Sequence, residues 1–463
     1  MPISARLSEF AKPLLPCPFL QKCGKRIASE PSPTQKPIAY NLKKHAQNLG
    51  DRHGGKSGQP PLYGVGISHA HACKASLYKR IARNLKPAAL CAHITATQTP
   101  EIMHLPMNPS TADEIEGPSD ADRGLLRKSV RDFLSKRWNA DRADSPEAMA
   151  ALWRDMAGQG LTALGGNPAE AGLRETLLVF AELGRASCPA PLLGAVAANL
   201  ALPAQQSNTA RALLEDLHQG KAMIALALGA FDGDPAAGRA EMRGDALRGR
   251  TAFVEGAATA THFLIFTDTG IAVAASDAPG LMTQVTPGLA VPSFSELSFE
   301  NTPAVPLNIP RASLADIALV ARLACAGRAL GAAERALELA ADHAKVRKQF
   351  GQFIGQFQAV QHKLADCLIS LDGARLTLDA AAEARDHDNP DWRVFAASAL
   401  AFAGPALREV SIQTHRALGA IGYAEEHEAP RHFRRVHADL ARFGGVSRAR
   451  AELADFVLGP VGA

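Results

Sequence analysis

The chain has 463 residues and a formal net charge of +4, against the ~100–200 residues usual for one domain. Its longest apolar runs, such as Met223–Leu228, fall far short of the ~18–20 residues a membrane span requires. Cys17, Cys23, Cys73, Cys91, Cys188, Cys325 and Cys367 form no short-spaced framework, which points to a reduced, cytoplasmic setting.

The charge is unevenly divided. Residues 1–106 hold 15 basic and 4 acidic residues, whereas residues 107–463 hold 35 basic and 42 acidic. The acidic balance of the larger part argues against a nucleic-acid partner. The first stretch shows no sustained apolar period and alternates basic pieces with Pro and Gly, so disorder is expected over 1–118. Three readings of it stand open: an over-extended reading frame with its true start at Met103 or Met107, an interaction tail for acidic partners, or a targeting peptide. His69, His71 and Cys73 resemble a metal cluster, but no second ligand pair follows at finger spacing, and no metal is expected.

From Ser119 the sequence becomes regular amphipathic helix. Asp122–Trp138 brings Leu125, Leu126, Val130, Phe133 and Leu134 near one face. Ser145 and Pro146 supply an N-cap and a first-turn proline for Glu147–Ala157. Leu173–Arg185, Leu192–Ala201 and Thr209–His218 complete a helical domain over 119–220.

Residues 221–305 read as a small antiparallel β domain. Ala222–Ala227, Thr251–Val254, His262–Phe266 and Gly270–Ala275 are short apolar runs between Gly, Asp and Pro clusters. Pro303, Pro306 and Pro310 mark the return to helix. The spacing then predicts long helices over Leu314–Lys345, Gln358–His387 and Trp392–Leu418, arranged with the last segments as a four-helix bundle over 306–463. Ala324, Gly327 and Gly331 recur on the first at three- and four-residue spacing and permit close helix approach. The fold class is therefore mainly α with a small β domain between two helical parts.

The junctions between bundle helices carry a resemblance. Arg347-Lys348-Gln349-Phe350-Gly351, then Phe357-Gln358 and Leu364-Ala365-Asp366, resembles the Arg-x-Gln-Phe-Gly segment of acyl-CoA dehydrogenases. Leu418-Gly419-Ala420-Ile421-Gly422-Tyr423, followed by Glu426-His427 and Arg434-Arg435, is similar to that family's Gly-Gly-x-Gly-Tyr turn. The resemblance spans about Ser119 to Leu458.

It implies non-covalent FAD in a cleft between β domain and bundle, an acyl-CoA substrate, and an electron-accepting flavoprotein or quinone system. The reaction implied is proton removal alpha to the thioester with hydride transfer from the beta carbon to the flavin. It also implies that Arg347 contacts the FAD of a neighbouring subunit, with Gln349, Phe350 and Gln358 beside it, and that Arg416, Gly419 and Ala420 form the close cofactor turn. A planar guanidinium suits a diphosphate chemically. A homo- or hetero-oligomer with a paralogous subunit follows.

Three departures from the family pattern matter. The Gln-x-x-Gly-Gly segment reads Arg416-Ala417-Leu418-Gly419-Ala420, losing an amide and a glycine. Phe231–Gly238 lacks the hydroxyls that would bond the flavin ring. The two usual positions of the catalytic carboxylate fall at about Phe443 and Ala321, which cannot accept a proton. Either a partner subunit supplies the base, as in divergent heteromeric members linked to the breakdown of sterols and other bulky acyl-CoAs, or Glu255, Glu425, Glu426 or Asp439 substitutes locally. A third possibility is other work on the same fold, as a flavin monooxygenase or a non-catalytic partner subunit. His415, His427 and His437, Tyr423 and Trp392 are read as packing or hydrogen-bonding residues.

Overall fold

The computed structural model describes residues 117–459 apart from 144, 233–236 and 292. The readings of 1–106, including the zinc cluster at His69, lie outside the described residues.

Helix α1 (Asp120–Arg137) begins at a capping box. The Asp122 amide donates to Ser119 Oγ at 3.2 Å, and the Ser119 amide donates to the Asp122 carboxylate at 3.0 Å. Helix α2 (Pro146–Gly158) starts at an N-cap, with the Ala148 amide donating to Ser145 Oγ and Pro146 in the first turn. It buries Met149, Leu152, Trp153 and Met156 along one stripe. A single turn α3 (Pro168–Ala171) leads to α4 (Leu173–Arg185), α5 (Leu192–Ala201) and α6 (Asn208–His218).

Two four-stranded sheets follow. Strands β1 (Ile224–Ala227), β4 (His262–Phe266), β5 (Ile271–Ala275) and β8 (Val305–Leu307) form one sheet in that spatial order. Strands β2 (Ala240–Arg243), β3 (Ala246–Val254), β7 (Phe294–Pro303) and β6 (Leu281–Thr286) form the other. The expected antiparallel pairing holds for the ladders of both sheets except β1–β4, which is parallel, Ile224 facing His262. A long connection through β2 and β3 permits that pairing, because parallel neighbours cannot be joined by a tight turn. Between the sheets lies a separate core of Leu247, Val254, Phe263, Ile265, Leu297 and Phe299.

The last part is helical. Helix α7 (Arg311–Val346) has 36 residues, about 54 Å at 1.5 Å per residue. Helices α8 (Gln358–Asp386), α9 (Trp392–Leu418), α10 (Ala429–Ala441) and α11 (Gly445–Leu458) pack along it or one another. Residues 317–333 of α7 are buried on every side, so this helix is the axis of the molecule. Its glycines set the crossing with α4. A Cβ on Gly331 would overlap the Ala181 carbonyl, and one on Gly184 would overlap the Arg328 carbonyl. The small-residue spacing read from the sequence thus buys backbone-to-backbone contact.

Candidate functional site

Where the β domain meets α10, a cavity of about 270 Å³ opens. Leu226 and Leu228 at the end of β1 form one wall, Phe253 in β3 and the 286–290 loop another, and His437 to Phe443 the third. Among the described residues, only Thr286, His437 and Arg442 bring polar side-chain groups to this lining. His437 sits 3.1 Å from Ser411 Oγ, and burial lowers its pKa, which keeps the ring neutral near pH 7. Phe443 takes a positive φ of 57° just after α10, and the Arg442 guanidinium lies 4.4 Å from its ring centroid and 4.9 Å from that of Phe294.

Behind this wall is a buried charge network. Arg328, wholly enclosed on α7, donates to Asp439 through Nε at 2.9 Å and Nη2 at 2.7 Å, and to Glu255 through Nη2 at 2.8 Å. Glu255, just past β3, also accepts from Arg442 at 2.7 Å and Arg435 at 3.2 Å. Burial raises the Glu255 pKa, but the guanidiniums of Arg328, Arg442 and Arg435 together outweigh it and hold the carboxylate ionised. Arg435 donates its second arm to the Val291 carbonyl at 2.7 Å, which ties the 286–291 loop to the network.

The structure disposes of the residues proposed as bases in different ways. Phe443 faces the cavity, whereas Ala321 is buried in the middle of α7 and does not line it. Glu255 and Asp439 are locked behind the cavity in ion pairs, so the idea of either as a free local base is corrected: a carboxylate held by two or three guanidiniums is a poor proton acceptor. Glu425 is exposed and bonded to Arg434, which lowers its pKa, and Glu426 is exposed. Neither lines the cavity.

The residues expected to touch a cofactor lie at the surface in two groups. Arg347 caps α7, its amide bonded to the His343 carbonyl and its own carbonyl accepting from the Ile354 amide at 2.9 Å, while its side chain is exposed. Between those bonds strands β9 (Lys348–Gln349) and β10 (Gln352–Phe353) form a hairpin. Its two turn residues, Phe350 and Gly351, have φ of 53° and 80°, as a tight primed turn requires. Phe350 is 92% exposed and meets only the edge of Phe357. Gln349 bonds the Lys348 carbonyl and Gln358 opens α8 on the surface. Arg416, Gly419 and Ala420 form the exposed end of α9, where Gly419 has a φ of 64° and open space around it. Ala340, Leu418 and Ala429 join in a small core that ties α7 to the ends of α9 and α10.

Whether a flavin suits these two regions has different answers. The surface group offers an exposed guanidinium, amides and an open backbone turn, which fit a dinucleotide held largely by another subunit. The cavity is a poor match to the ring: among its described lining only Thr286, His437 and Arg442 bring polar side chains, few partners for the hydrogen-bonding edge of a flavin. Residues 233–236 of the flavin-ring segment lie outside the described residues. Among the described residues no group of His, Cys, Asp and Glu is placed to hold a metal, and no helix is long and apolar enough to cross a membrane.

The network was missed in the sequence. An arginine inside Leu323-Ala324-Cys325-Ala326-Gly327-Arg328-Ala329-Leu330-Gly331 was the available signal, since a charge amid such small apolar residues has no wet face to occupy.

Comparison with known proteins bears on all of this. The family model described as "Acyl-CoA dehydrogenase, C-terminal domain" matches residues 316–450, covering most of α7 and reaching into α11. The acyl-CoA dehydrogenase IpdE2 of Mycobacterium tuberculosis is 33% identical over 330 residues, 68% of this chain and 91% of that protein. A variant of the Tcur3481-Tcur3483 steroid ACAD has a TM-score of 0.65 at 28% identity, covering 73% of this chain and 98% of its own. The ChsE4-ChsE5 complex from Mycobacterium tuberculosis has a TM-score of 0.63 at 22% identity, over 74% and 99%. With the helix–sheet–helix order, the Arg347 hairpin and a relative of this identity matched over nearly its whole length, the chain belongs to the acyl-CoA dehydrogenase family.

Proposed function

We propose that the chain is a subunit of a FAD-dependent acyl-CoA dehydrogenase that works beside a carboxylate-bearing paralogue, dehydrogenating an acyl-CoA thioester at its alpha and beta carbons. One observation carries this reading: Phe443 stands at the cavity where the base is expected, and the buried carboxylates behind that wall, Glu255 and Asp439, are committed to buried arginines. FAD supplies the hydride acceptor when bound. Arg347, Gln349 and the Phe350 turn would hold the dinucleotide of the neighbouring subunit, and Arg416, Gly419 and Ala420 would give its chain a close backbone approach. The partner contributes the group that takes the alpha proton.

Similar two-component proteins support the assembly. The Tcur3481-Tcur3483 and ChsE4-ChsE5 proteins are two-component complexes, the former a steroid ACAD, and that makes a bulky polycyclic acyl-CoA the substrate class to test first. The chain would be purified alone and co-expressed with a carboxylate-bearing paralogue from the same genome. Flavin content and anaerobic bleaching of the flavin band by a panel of acyl-CoA thioesters would be measured for both. Flavin and bleaching should appear only in the co-expressed complex. Rapid bleaching by the chain alone would refute the partner reading.

A further inference from the structure

The cavity beside Phe443 has an electrostatic property that the shared-cofactor reading does not use. Its wall is backed by three buried guanidiniums, Arg328, Arg435 and Arg442, and two buried carboxylates, Glu255 and Asp439, which leaves one positive charge uncompensated within this set. The nearby Arg322 stands outside this set and bonds Glu452 at 2.7 Å, a carboxylate that Arg448 shares. Arg442 is the member that lines the cavity. Its side chain is 4% exposed, one arm donates to Glu255, and its Nε has no hydrogen-bond partner.

A buried guanidinium with an unused donor is costly unless an anion completes it. The Phe294 and Phe443 rings lie 4.9 and 4.4 Å from the guanidinium carbon of Arg442. Apart from Thr286 and the neutral His437, the rest of the described lining, Leu226, Leu228, Ala252, Phe253 and Ala441 among it, is apolar. A cavity of about 270 Å³ with apolar walls and one cation suits a ligand of matching polarity.

We propose that this cavity binds an apolar chain ending in a carboxylate, which Arg442 receives. The carboxylate neutralises the surplus charge of the network and accepts from the Arg442 guanidinium, while the chain lies along Leu226, Leu228 and Phe253. The proposal concerns this chain's own cavity and does not depend on where the flavin of the assembly sits.

Calorimetry on the full chain, with octanoate and octan-1-ol as matched probes, tests it. Octanoate should bind saturably and at least tenfold more tightly than the alcohol. Arg442→Met should abolish that preference and leave the alcohol's affinity within a factor of two. A further pair, octanoyl-CoA and suberyl-CoA, identifies the source of the carboxylate. Preference for suberyl-CoA would assign it to the far end of an acyl thioester, and equal binding of the two would assign it to a free fatty acid. Should Arg442→Met fail to fold, as read by circular dichroism, the wild-type comparison decides alone. Equal affinity for octanoate and octanol, no saturable binding of octanoate, or octanoate binding undiminished in a folded Arg442→Met protein would each overturn the proposal. Flavin content of the co-expressed complex is measured in the same preparations, so a failed cavity leaves the subunit reading to stand or fall separately.

Discussion

Arg328 grips Asp439 with a two-pronged hydrogen bond, Nε and Nη2 at 2.9 and 2.7 Å, and thereby fastens α10 to the middle of α7 with both side chains out of water. Removing one member strands the other. Asp439→Ala should therefore cost about 3–5 kcal/mol. Glu425→Ala, which breaks the more exposed pair with Arg434, should leave stability nearly unchanged. Urea denaturation followed by circular dichroism measures both, and equal losses would contradict the weight given to burial.

The α4–α7 crossing has no room for a side chain. Gly184→Ala and Gly331→Ala should each destabilise by about 3 kcal/mol or more, because a backbone carbonyl rather than a flexible side chain meets the new methyl. Gly124→Ala, on the exposed face of α1 with open space around it, serves as the control and should raise stability by up to about 1 kcal/mol. Thermal midpoints of the three variants check the ordering.

Arg347→Ala should leave the fold unchanged, since the side chain is exposed, yet reduce flavin retention by the co-expressed complex. Loss of one charge-assisted contact of about 1.5–3 kcal/mol corresponds to roughly ten- to over one hundredfold in affinity. Equal flavin content after extensive dialysis of wild type and variant would remove Arg347 from the cofactor site.

Restoring a carboxylate should not restore activity to the isolated chain. Ala321→Glu places an unpaired charge in the buried run of α7 and should cost about 3 kcal/mol or more. Phe443→Glu should fold, but its carboxylate would stand beside the Arg442 guanidinium and stay ionised too readily to act as a base near neutral pH. Anaerobic bleaching by acyl-CoA in either unaccompanied variant would show that the base was the single missing element.

Stability should fall as pH drops below about 6.5. His432 is buried on α10, between Ser187 Oγ at 3.2 Å and the Glu428 carboxylate at 3.5 Å, and burial lowers its pKa. A base whose folded pKa is depressed contributes stability above its unfolded value and loses it as pH falls through the folded one. His432→Asn should reduce the slope of unfolding free energy between pH 6.5 and 5 by up to about 1.4 kcal/mol per pH unit. Denaturation midpoints at half-unit pH intervals provide the slope, and an unchanged slope would mean that His432 does not report this titration.

Local chemistry explains which parts of the fold could be read in advance. Leu173–Arg185, Leu192–Ala201, Trp392–Leu418 and His262–Phe266 were expected with the bounds they have, because Gly, Pro and Asn stops flank continuous patterns. Strands β6 and β7 were not anticipated. β6 is nearly all exposed and shows no apolar alternation, and β7 turns Ser295 and Thr302 inward beside Leu297 and Phe299. Asn301, at a φ of 52°, lies at the register shift that breaks the β7 period, and Phe253, at 60°, does the same in β3. The site divides likewise. The Arg347 hairpin is contiguous and legible as a motif, whereas the Arg328 bonds to Glu255 and Asp439 join residues 73 and 111 positions apart and exist only once the chain has folded.

The glycine crossing also sets an order of events on the ribosome. The face of α4 that carries Gly184 is complete long before Gly331 is made, since roughly 150 residues separate them. At ~5–20 residues per second that gap lasts on the order of ten to thirty seconds. Throughout it, Leu177, Phe180 and Ala181 lack the helix that later covers them. A nascent chain paused before α7 therefore offers a chaperone an apolar surface that the finished protein never displays, and slow codons between β8 and α7 would lengthen that exposure.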